Sequence, residues 1–542
     1  MPTALFGLIK LSMKDLYQLF SQSLDGLLHT YSINIAPPLW EIPKDKKYGD
    51  FSTMIALKAA PVLKRDPYDI ACEIKSVLQE KLGSYTDRID IVKPGFVNIF
   101  VSKKGLIESL NRIIKEKDDF FKDNRRKKVL LEFVSANPTG PLSIAHGRQA
   151  VVGDVIARIL KFFGNDVICE YYLNDEGTQI NLLIESVRQR IKELKGEDFR
   201  IPDGGYQGEY LKSVAREAFD IEEDKLRDFV VSSMVSLIKN ELSSIGVVFD
   251  NFFSQKKLIN EGKVNKAIET LSARGLIYEK DSALWFSSSR FGDDKDRVLK
   301  KKNSELTYFA SDIAYHEDKI ERGFDEIINL WGPDHHGYIG RVKASIKALG
   351  YNDNILKVLI IQLVTIKTKE RMSRRRGTAI LLSDLIDEVG KDAVRFYYIL
   401  RRNSSPLEFD IDLAKSASLD NPLYYVQYAH ARIKSIFAKA GVVDDFNLDY
   451  SQYLEDEEEV SLVRDILQFS YCLNKIYYNL EPVFLAEYLK SIAAEFHRFY
   501  ERKRILGSGD DKMHARLNLL EAVRVVLRLG LSILGISAWD KM

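Results

Sequence analysis

Two stretches of this chain combine residue types suited to handling a nucleotide. In the first, Glu132 is followed by Ala136-Asn137-Pro138-Thr139-Gly140-Pro141-Leu142-Ser143-Ile144-Ala145-His146-Gly147. A turn that leaves a strand and enters a helix is where phosphates bind, because unpaired backbone N–H groups and the positive helix end face the anion. Gly140, Ala145 and Gly147 are small enough to let a nucleotide approach the main chain. His146 can donate a hydrogen bond or a charge to negative charge developing on phosphate. The simpler alternative is a Pro/Gly turn ahead of a core helix, with His146 acting as a cap. In the second stretch, Lys367 to Thr378, six basic side chains accompany Met372, Ser373 and Gly377. Such a loop can close over a triphosphate and neutralise departing pyrophosphate; a solvated run of charge is the alternative.

A third group is acidic and aromatic. Tyr308 and Asp312 stand four positions apart and share a face if their segment is helical. With Glu132 and Asn137 they make an acidic slot, and a planar guanidinium is the cation best matched to bidentate carboxylate partners. The competing reading is a surface helix start with Asp312 exposed. A fourth stretch, Trp331-Gly332-Pro333-Asp334-His335-His336-Gly337, sets paired histidines after a strand. No third ligand stands near them, so a loop lining the nucleotide pocket is expected, with no protein-bound metal.

These groups need a parallel sheet to bring them together. Val129 to Val134 is a short apolar run typical of a strand buried on both faces. A helical pattern from Ile144 to Phe163 and a strand from Val167 to Leu173 complete a βαβ unit. Further strands are expected at Leu284–Phe286, Leu306–Phe309 and Ile327–Leu330, and a charged helical insertion over about 181–250. Ahead of this, residues 1–115 read as a small α+β unit. It has helical spacing over Ser52–Leu63, a helix opened by Asp66-Pro67 and running to Leu82, and a strand over Ile89–Val101 interrupted by Pro94-Gly95. Lys115 to Lys128 is a charged connector. Over 415–542 the patterns are helical only, at Tyr424–Ala438, Val460–Leu480, Phe484–Leu506 and Ala515–Leu534. The fold class expected is a Rossmann-type α/β catalytic domain over 125–400, preceded by the α+β domain and followed by an all-α bundle.

At 542 residues the chain has room for roughly three to five domains. Its 79 basic and 78 acidic side chains balance to +1, which argues against indiscriminate coating of polyanions but not against a local nucleic-acid site. Cys72, Cys169 and Cys472 form no C-x-x-C pair, so neither a disulfide framework nor a zinc site is expected. Apolar runs are too short for a membrane span, and Met1–Met13 lacks a signal-peptide pattern, with Met13 a possible second start. A cytoplasmic protein is expected.

The order of these pieces resembles a family. A Pro-rich turn ending in His146, then Asp334-His335-His336, then a Met372-Ser373 loop with basic neighbours, then a helical domain, is similar to class I aminoacyl-tRNA synthetases. The arginyl family fits in particular. Ser135 to Pro141 resembles its approach to the H-I-G-H motif, and Asp420 to Arg432 resembles the opening of its anticodon-binding domain. Arg498-Phe499-Tyr500 and the terminal Met542 resemble its ending, while Gly49-Asp50-Phe51 and Pro94-Gly95-Phe96-Val97-Asn98 resemble its N-terminal domain.

The resemblance implies roles. L-arginine, ATP with Mg2+, and tRNA(Arg) would be the partners, with no membrane and a monomeric enzyme. Glu132, Asn137, Tyr308, Asp312 and His336 would hold arginine. Pro138, Ser143, Ala145, His146, Gly147, Met372 and Arg374 would hold ATP. Catalysis would fall to Ser143, His146, Arg371, Ser373 and Arg374, and tRNA contacts to Phe96, Asn98, Tyr428, Tyr500 and Met542. Adenylate formation would need tRNA present. The chain departs from the pattern where Ser143 and Ala145 replace the first His and the Gly of H-I-G-H. It departs again where Arg371-Met372-Ser373-Arg374-Arg375 stands for K-M-S-K-S, exchanging point charges for planar forks. The alternatives are another class I synthetase, such as a cysteinyl or glutaminyl type, and a non-catalytic RNA-binding paralogue.

Overall fold

The structure is a computed structural model that describes residues 16–35, 37–367, 380–442 and 446–542. Arg371, Met372, Ser373 and Arg374, and the stretch Met1–Met13, lie outside the described residues. The chain divides into two compact units, one spanning Asn124–Ser416 and the other combining the residues up to Asp123 with Ala417–Met542.

The Asn124–Ser416 unit is built on a five-stranded parallel sheet. Its strands are Lys128–Glu132 (β1), Asp166–Leu173 (β2), Asn251–Ser254 (β3), Glu326–Trp331 (β4) and Leu356–Ile360 (β5). They lie in the order β5-β4-β1-β2-β3, all parallel. This is the doubly wound arrangement, in which the crevice beyond the carboxyl ends of β1 and β4 is the ligand position. Register brings Glu132 of β1 beside Glu170 of β2 on one side and Asn329 of β4 on the other. Three polar residues therefore meet in the middle of an otherwise apolar sheet. The helix Ile144–Phe162 (α1) lies close against this end. A Cβ on Gly153 would come within 2.4 Å of the Phe133 ring, so this helix needs glycine there to approach.

The segment expected as a strand over Leu306–Phe309 is a helix start. Leu306 makes an isolated bridge to Lys300, and then the Thr307 hydroxyl accepts from the Ala310 N–H and opens the helix Tyr308–Glu321 (α2). An N-capping side chain outweighed the strand preference of its aromatic neighbours. A small antiparallel sheet, Ile277–Lys280, Ala283–Phe286 and Arg297–Lys300, stands just before it. The insertion contributes helices Thr178–Lys195, Tyr210–Glu217 and Glu223–Ser244, which pack on one another through Leu183, Leu211, Val230 and Met234.

In the other unit, Phe96–Val101 is the central strand between Phe51–Thr53 and Thr86–Val92. The helical pattern expected from Ser52 begins only at Ile55, because Phe51–Thr53 pairs as an edge strand. Helices Pro422–Ala440, Glu457–Asn479, Val483–Arg502 and Asp510–Ile533 form the bundle. The two parts share a core: Phe121 meets Phe469 edge-on at 5.0 Å, and Arg464 pairs with Asp50 at 2.9 Å. Among the described residues, no helix is long and apolar enough to cross a membrane.

Candidate active site

A cavity of about 560 Å³ opens at the carboxyl ends of β1 and β4, and Glu132, Asn137, His146, Tyr308 and Asp312 all line it. The chain leaves β1 through a turn in which Ser135 N–H donates to the Phe133 carbonyl at 3.0 Å and Val134 has φ 68°. Positive φ is a strained setting for a β-branched residue. The turn reverses the backbone so that Ser135 Oγ donates to Glu132 Oε1 at 2.9 Å and Asn137 faces the cavity. Asn137 Nδ2 donates to Gln179 at 2.5 Å, which leaves its carbonyl oxygen for a ligand.

His146 sits in the first turn of α1. The Ser143 N–H donates to His146 Nδ1 at 3.2 Å, a capping box in which histidine stands where Glu or Gln is usual. With Nδ1 occupied as an acceptor, the neutral ring carries its proton on Nε2. Burial pushes the His146 pKa down, so the ring is a neutral donor at physiological pH. The two main-chain runs 142–144 and 380–382 are joined by hydrogen bonds from Ile144 N to Ile380 O and from Leu382 N to Leu142 O. That brings Ile380–Leu382, which follow the basic stretch in sequence, beside the H-I-G-H-like motif.

Asp312 is the distinctive group. Burial raises its pKa to about 6; the Tyr338 hydroxyl donates to its carboxylate and opposes the rise, while the charge on Glu132 adds to it. Among the described residues no Lys, Arg or His forms an ion pair with it. Glu132, by contrast, is matched: Lys319 Nζ donates to its Oε2 at 2.5 Å and to Asn329 Oδ1 at 2.9 Å. Glu170, deeper still, is held low despite burial by a two-pronged bond from Arg322 at 2.7 and 2.8 Å and by the Tyr315 hydroxyl at 2.7 Å. Two further lining atoms, Tyr172 Oη and Asn174 Oδ1, are buried with no hydrogen-bond partner among the described residues. At its inner end the cavity therefore offers a cation one carboxylate without a counter-ion and two polar atoms without partners among the described residues.

Several expected site residues stand elsewhere. Both histidines of the 3-10 turn Pro333–Tyr338 are exposed; His335 lines the mouth of the cavity and His336 does not. Gly147 is buried, and a Cβ there would meet Leu382 Cδ1 at 2.5 Å and the Tyr398 hydroxyl at 2.9 Å. A Cβ on Gly140 would meet the Tyr210 hydroxyl at 2.8 Å. Protein packing, not ligand approach, accounts for both glycines. Pro138, Ser143 and Ala145 flank the cavity without lining it. Asp312 is not the exposed helix start of the competing reading. Lys319, Asn329, His316, Tyr315 and Tyr338 were not anticipated. The available signal was the polar series Tyr308, Asp312, Tyr315, His316 and Lys319, one stripe at helical spacing.

In the other unit, Tyr428 stacks with Tyr424 at 5.9 Å and 8° and with His497 at 5.7 Å and 22°. The Arg432 guanidinium lies 4.9 Å from the Tyr500 ring, at the rim of a cavity of about 310 Å³ also lined by Lys439, Lys503 and Arg504. Gln427 and His430 bond the carbonyls of Ser537 and Trp539 at 2.8 and 2.9 Å, tying the tail that ends in exposed Met542 to the same helix. Aromatic faces beside cations are the chemistry of a surface for unpaired bases. Asn98 is buried and accepts from Ser52 at 2.7 Å, so its side chain serves the sheet; Phe96 is the half-buried neighbour.

Comparison with known proteins bears on all these parts. Family models described as "Arginyl tRNA synthetase N terminal domain", "tRNA synthetases class I (R), catalytic domain" and "DALR anticodon binding domain" match residues 14–101, 109–405 and 426–542. The arginine–tRNA ligase of Geobacter sp. (strain M21) is 42% identical over 526 residues, covering 93% of this chain and 94% of that protein. The arginine–tRNA ligase of Aquifex aeolicus (strain VF5) is 39% identical over 588 residues, covering 98% and 100%. The solved Thermus thermophilus arginyl-tRNA synthetase matches with a TM-score of 0.76 over 97% of this chain and 99% of its own, at 21% identity, a likeness of fold.

Proposed function

The chain belongs to the arginyl-tRNA synthetases, and from that premise we propose that it joins L-arginine to tRNA(Arg) for translation, using ATP. The observation that carries this reading is Asp312, a carboxylate without a cation at the floor of a cavity that has a helix N-terminus and His146 on its wall. The guanidinium sits on Asp312, with Tyr308 over it from the exposed rim and Glu132 as a second acceptor. Asn137 Oδ1 and the unpartnered Tyr172 hydroxyl take the amino-acid end. Lysine is disfavoured because a point cation leaves acceptors arranged for a fork unpaired.

The arginine carboxylate attacks the α-phosphorus of MgATP, which leaves arginyl-adenylate and pyrophosphate. Little covalent help is needed for such a displacement; positioning and charge stabilisation carry it. His146 donates its Nε2–H to phosphate oxygen, and Ser143 holds that ring in the correct tautomer. Arg371, Ser373 and Arg374, with Met372, belong to the loop that receives pyrophosphate. A terminal ribose hydroxyl of the tRNA then attacks the activated carbonyl, forming the ester as the bond to phosphate breaks and AMP leaves. Residues 1–115 meet the tRNA elbow through Phe96, and residues 415–542 meet the anticodon loop through Tyr428, Tyr500 and Met542. The enzyme works as a cytoplasmic monomer.

ATP–pyrophosphate exchange driven by arginine, with and without tRNA(Arg), tests the reading. Exchange driven better by lysine, glutamine or cysteine overturns the specificity, and tRNA binding without any exchange overturns the catalysis. His146→Ala is expected to slow exchange by about 10²–10³, the loss of one preorganised donor, with arginine affinity little changed.

A further inference from the structure

Beneath the cavity lies a cation that no substrate supplies. Lys319 is fully buried and does not line the cavity. Its Nζ bonds Glu132 at 2.5 Å and Asn329 at 2.9 Å and lies 4.2 Å from the centroid of the Tyr315 ring. Asn329 Nδ2 in turn donates to His316 Nε2 at 3.0 Å, and His316 Nδ1–H donates to the Asp312 carbonyl at 2.8 Å. The chain of bonds runs from one pocket carboxylate, through the sheet, to the backbone that carries the other. At the inner end of the slot two carboxylates, Glu132 and Asp312, meet one internal cation that balances one of them, while Asp334 stands exposed at the mouth beside His335. The remainder among the inner groups is a single negative charge.

We propose that Lys319 is a positioning residue that sets the charge of the amino-acid slot: it holds Glu132 as an oriented, neutralised acceptor and leaves Asp312 as the one anion that a monocationic side chain must match. This rests on the arginine reading above and extends it to a residue outside the substrate's reach. The groups facing Asp312 are Glu132 from β1, Tyr172 from β2, His335 and Tyr338 from the Pro333–Tyr338 turn, and Lys319 on its own helix. Of these, Lys319 and His335 favour the carboxylate and Glu132 opposes it. With Lys319 removed alone, two carboxyl groups share a desolvated space in which both cannot ionise, and the pair keeps a proton. Arginine binding must then expel that proton to solvent.

Calorimetric titration of the full chain with arginine, in two buffers of different ionisation heat at about pH 7.5, counts the protons released. The wild type is expected to release almost none. Lys319→Met is expected to release about one and to bind at least roughly tenfold more weakly, its Kd improving about tenfold per unit as pH rises. Glu132→Gln/Lys319→Met restores the wild-type charge, so proton release should vanish and Kd should return to within about tenfold of wild type. Thermal melting checks that each variant is folded; if Lys319→Met does not fold, the double variant decides. Binding by Lys319→Met without proton release, or a folded double variant that releases a proton or loses arginine, overturns the proposal. A wild-type chain that binds a different amino acid in place of arginine overturns the arginine reading instead.

Discussion

Two buried clusters of charge in this protein look alike and behave differently. In the helical bundle, Glu459 is fully buried and accepts from Arg516 and Lys512 at 2.8 Å each and from the N–H groups of Glu455 and Asp456 at 2.9 and 3.1 Å. Both carboxylate oxygens have donors, and the cluster closes the start of the helix Glu457–Asn479. At the candidate active site, Glu132, Lys319 and Asn329 are satisfied in the same way, but Asp312 is left with a tyrosine hydroxyl and, among the described residues, no cation. A buried ionic cluster that closes on itself is architecture. One that withholds a counter-ion from a carboxylate facing a cavity holds a place for a ligand.

Mutations should separate the two. Glu459→Ala removes the buried partner of Arg516 and Lys512, leaving both to the half-exposed Asp456, and is expected to cost about 3–5 kcal/mol of stability by denaturant titration, while arginine affinity of the folded protein stays as it was. A stable variant that binds arginine poorly would erase the distinction. Asp312→Ala should do the reverse: arginine Kd rises by about 10²–10³, within the range for a desolvated charge pair, and ATP affinity hardly changes. Stability should hold or rise. The sign follows from the raised pKa of about 6, above the roughly 3.9 of an unfolded aspartate. The folded state binds the extra proton between those values, so relative to the variant the wild type loses stability as pH climbs from about 4 to about 6, and the difference is constant above that. Equal losses in arginine and ATP binding would remove Asp312 from the slot.

A smaller effect should appear on changing pH alone. Arginine must displace the Asp312 proton at pH values below about 6, so its Kd should rise about tenfold per unit of acidification there and be flat above. Binding that stays flat down to pH 5 would mean Asp312 is not the receiving carboxylate. The smallest change expected is Tyr338→Phe, which removes one hydrogen bond worth roughly 1 kcal/mol. Arginine affinity should weaken several-fold, and the pH break should move upward.

Much of this site was legible as residue types near a strand end. Glu132, Asn137, His146, Tyr308 and Asp312 were expected together and do line one cavity, because a βαβ pattern with its turn chemistry is a local signal. The paired histidines were legible only as a pair. Which of them borders the cavity depends on the 3-10 turn over Pro333–Tyr338, and that turn sets the exposed His335 at its mouth. Gly147 and Gly140 read as room for a nucleotide, yet Leu382, Tyr398 and Tyr210 occupy that room.

Local order here follows from short-range rules. The apolar run of β1, the Ser143 and Thr307 caps, the Asp66-Pro67 start and the amphipathic helices of the bundle are each written within a few neighbouring residues. Charge balance at the slot is not. Lys319 and Glu132 are 187 positions apart, and they meet because β4 pairs beside β1 in register and α2 packs against them. Whether a carboxylate is neutralised or left waiting depends on such long-range pairs, and desolvation, which makes the difference matter energetically, exists only once the chain has closed around them.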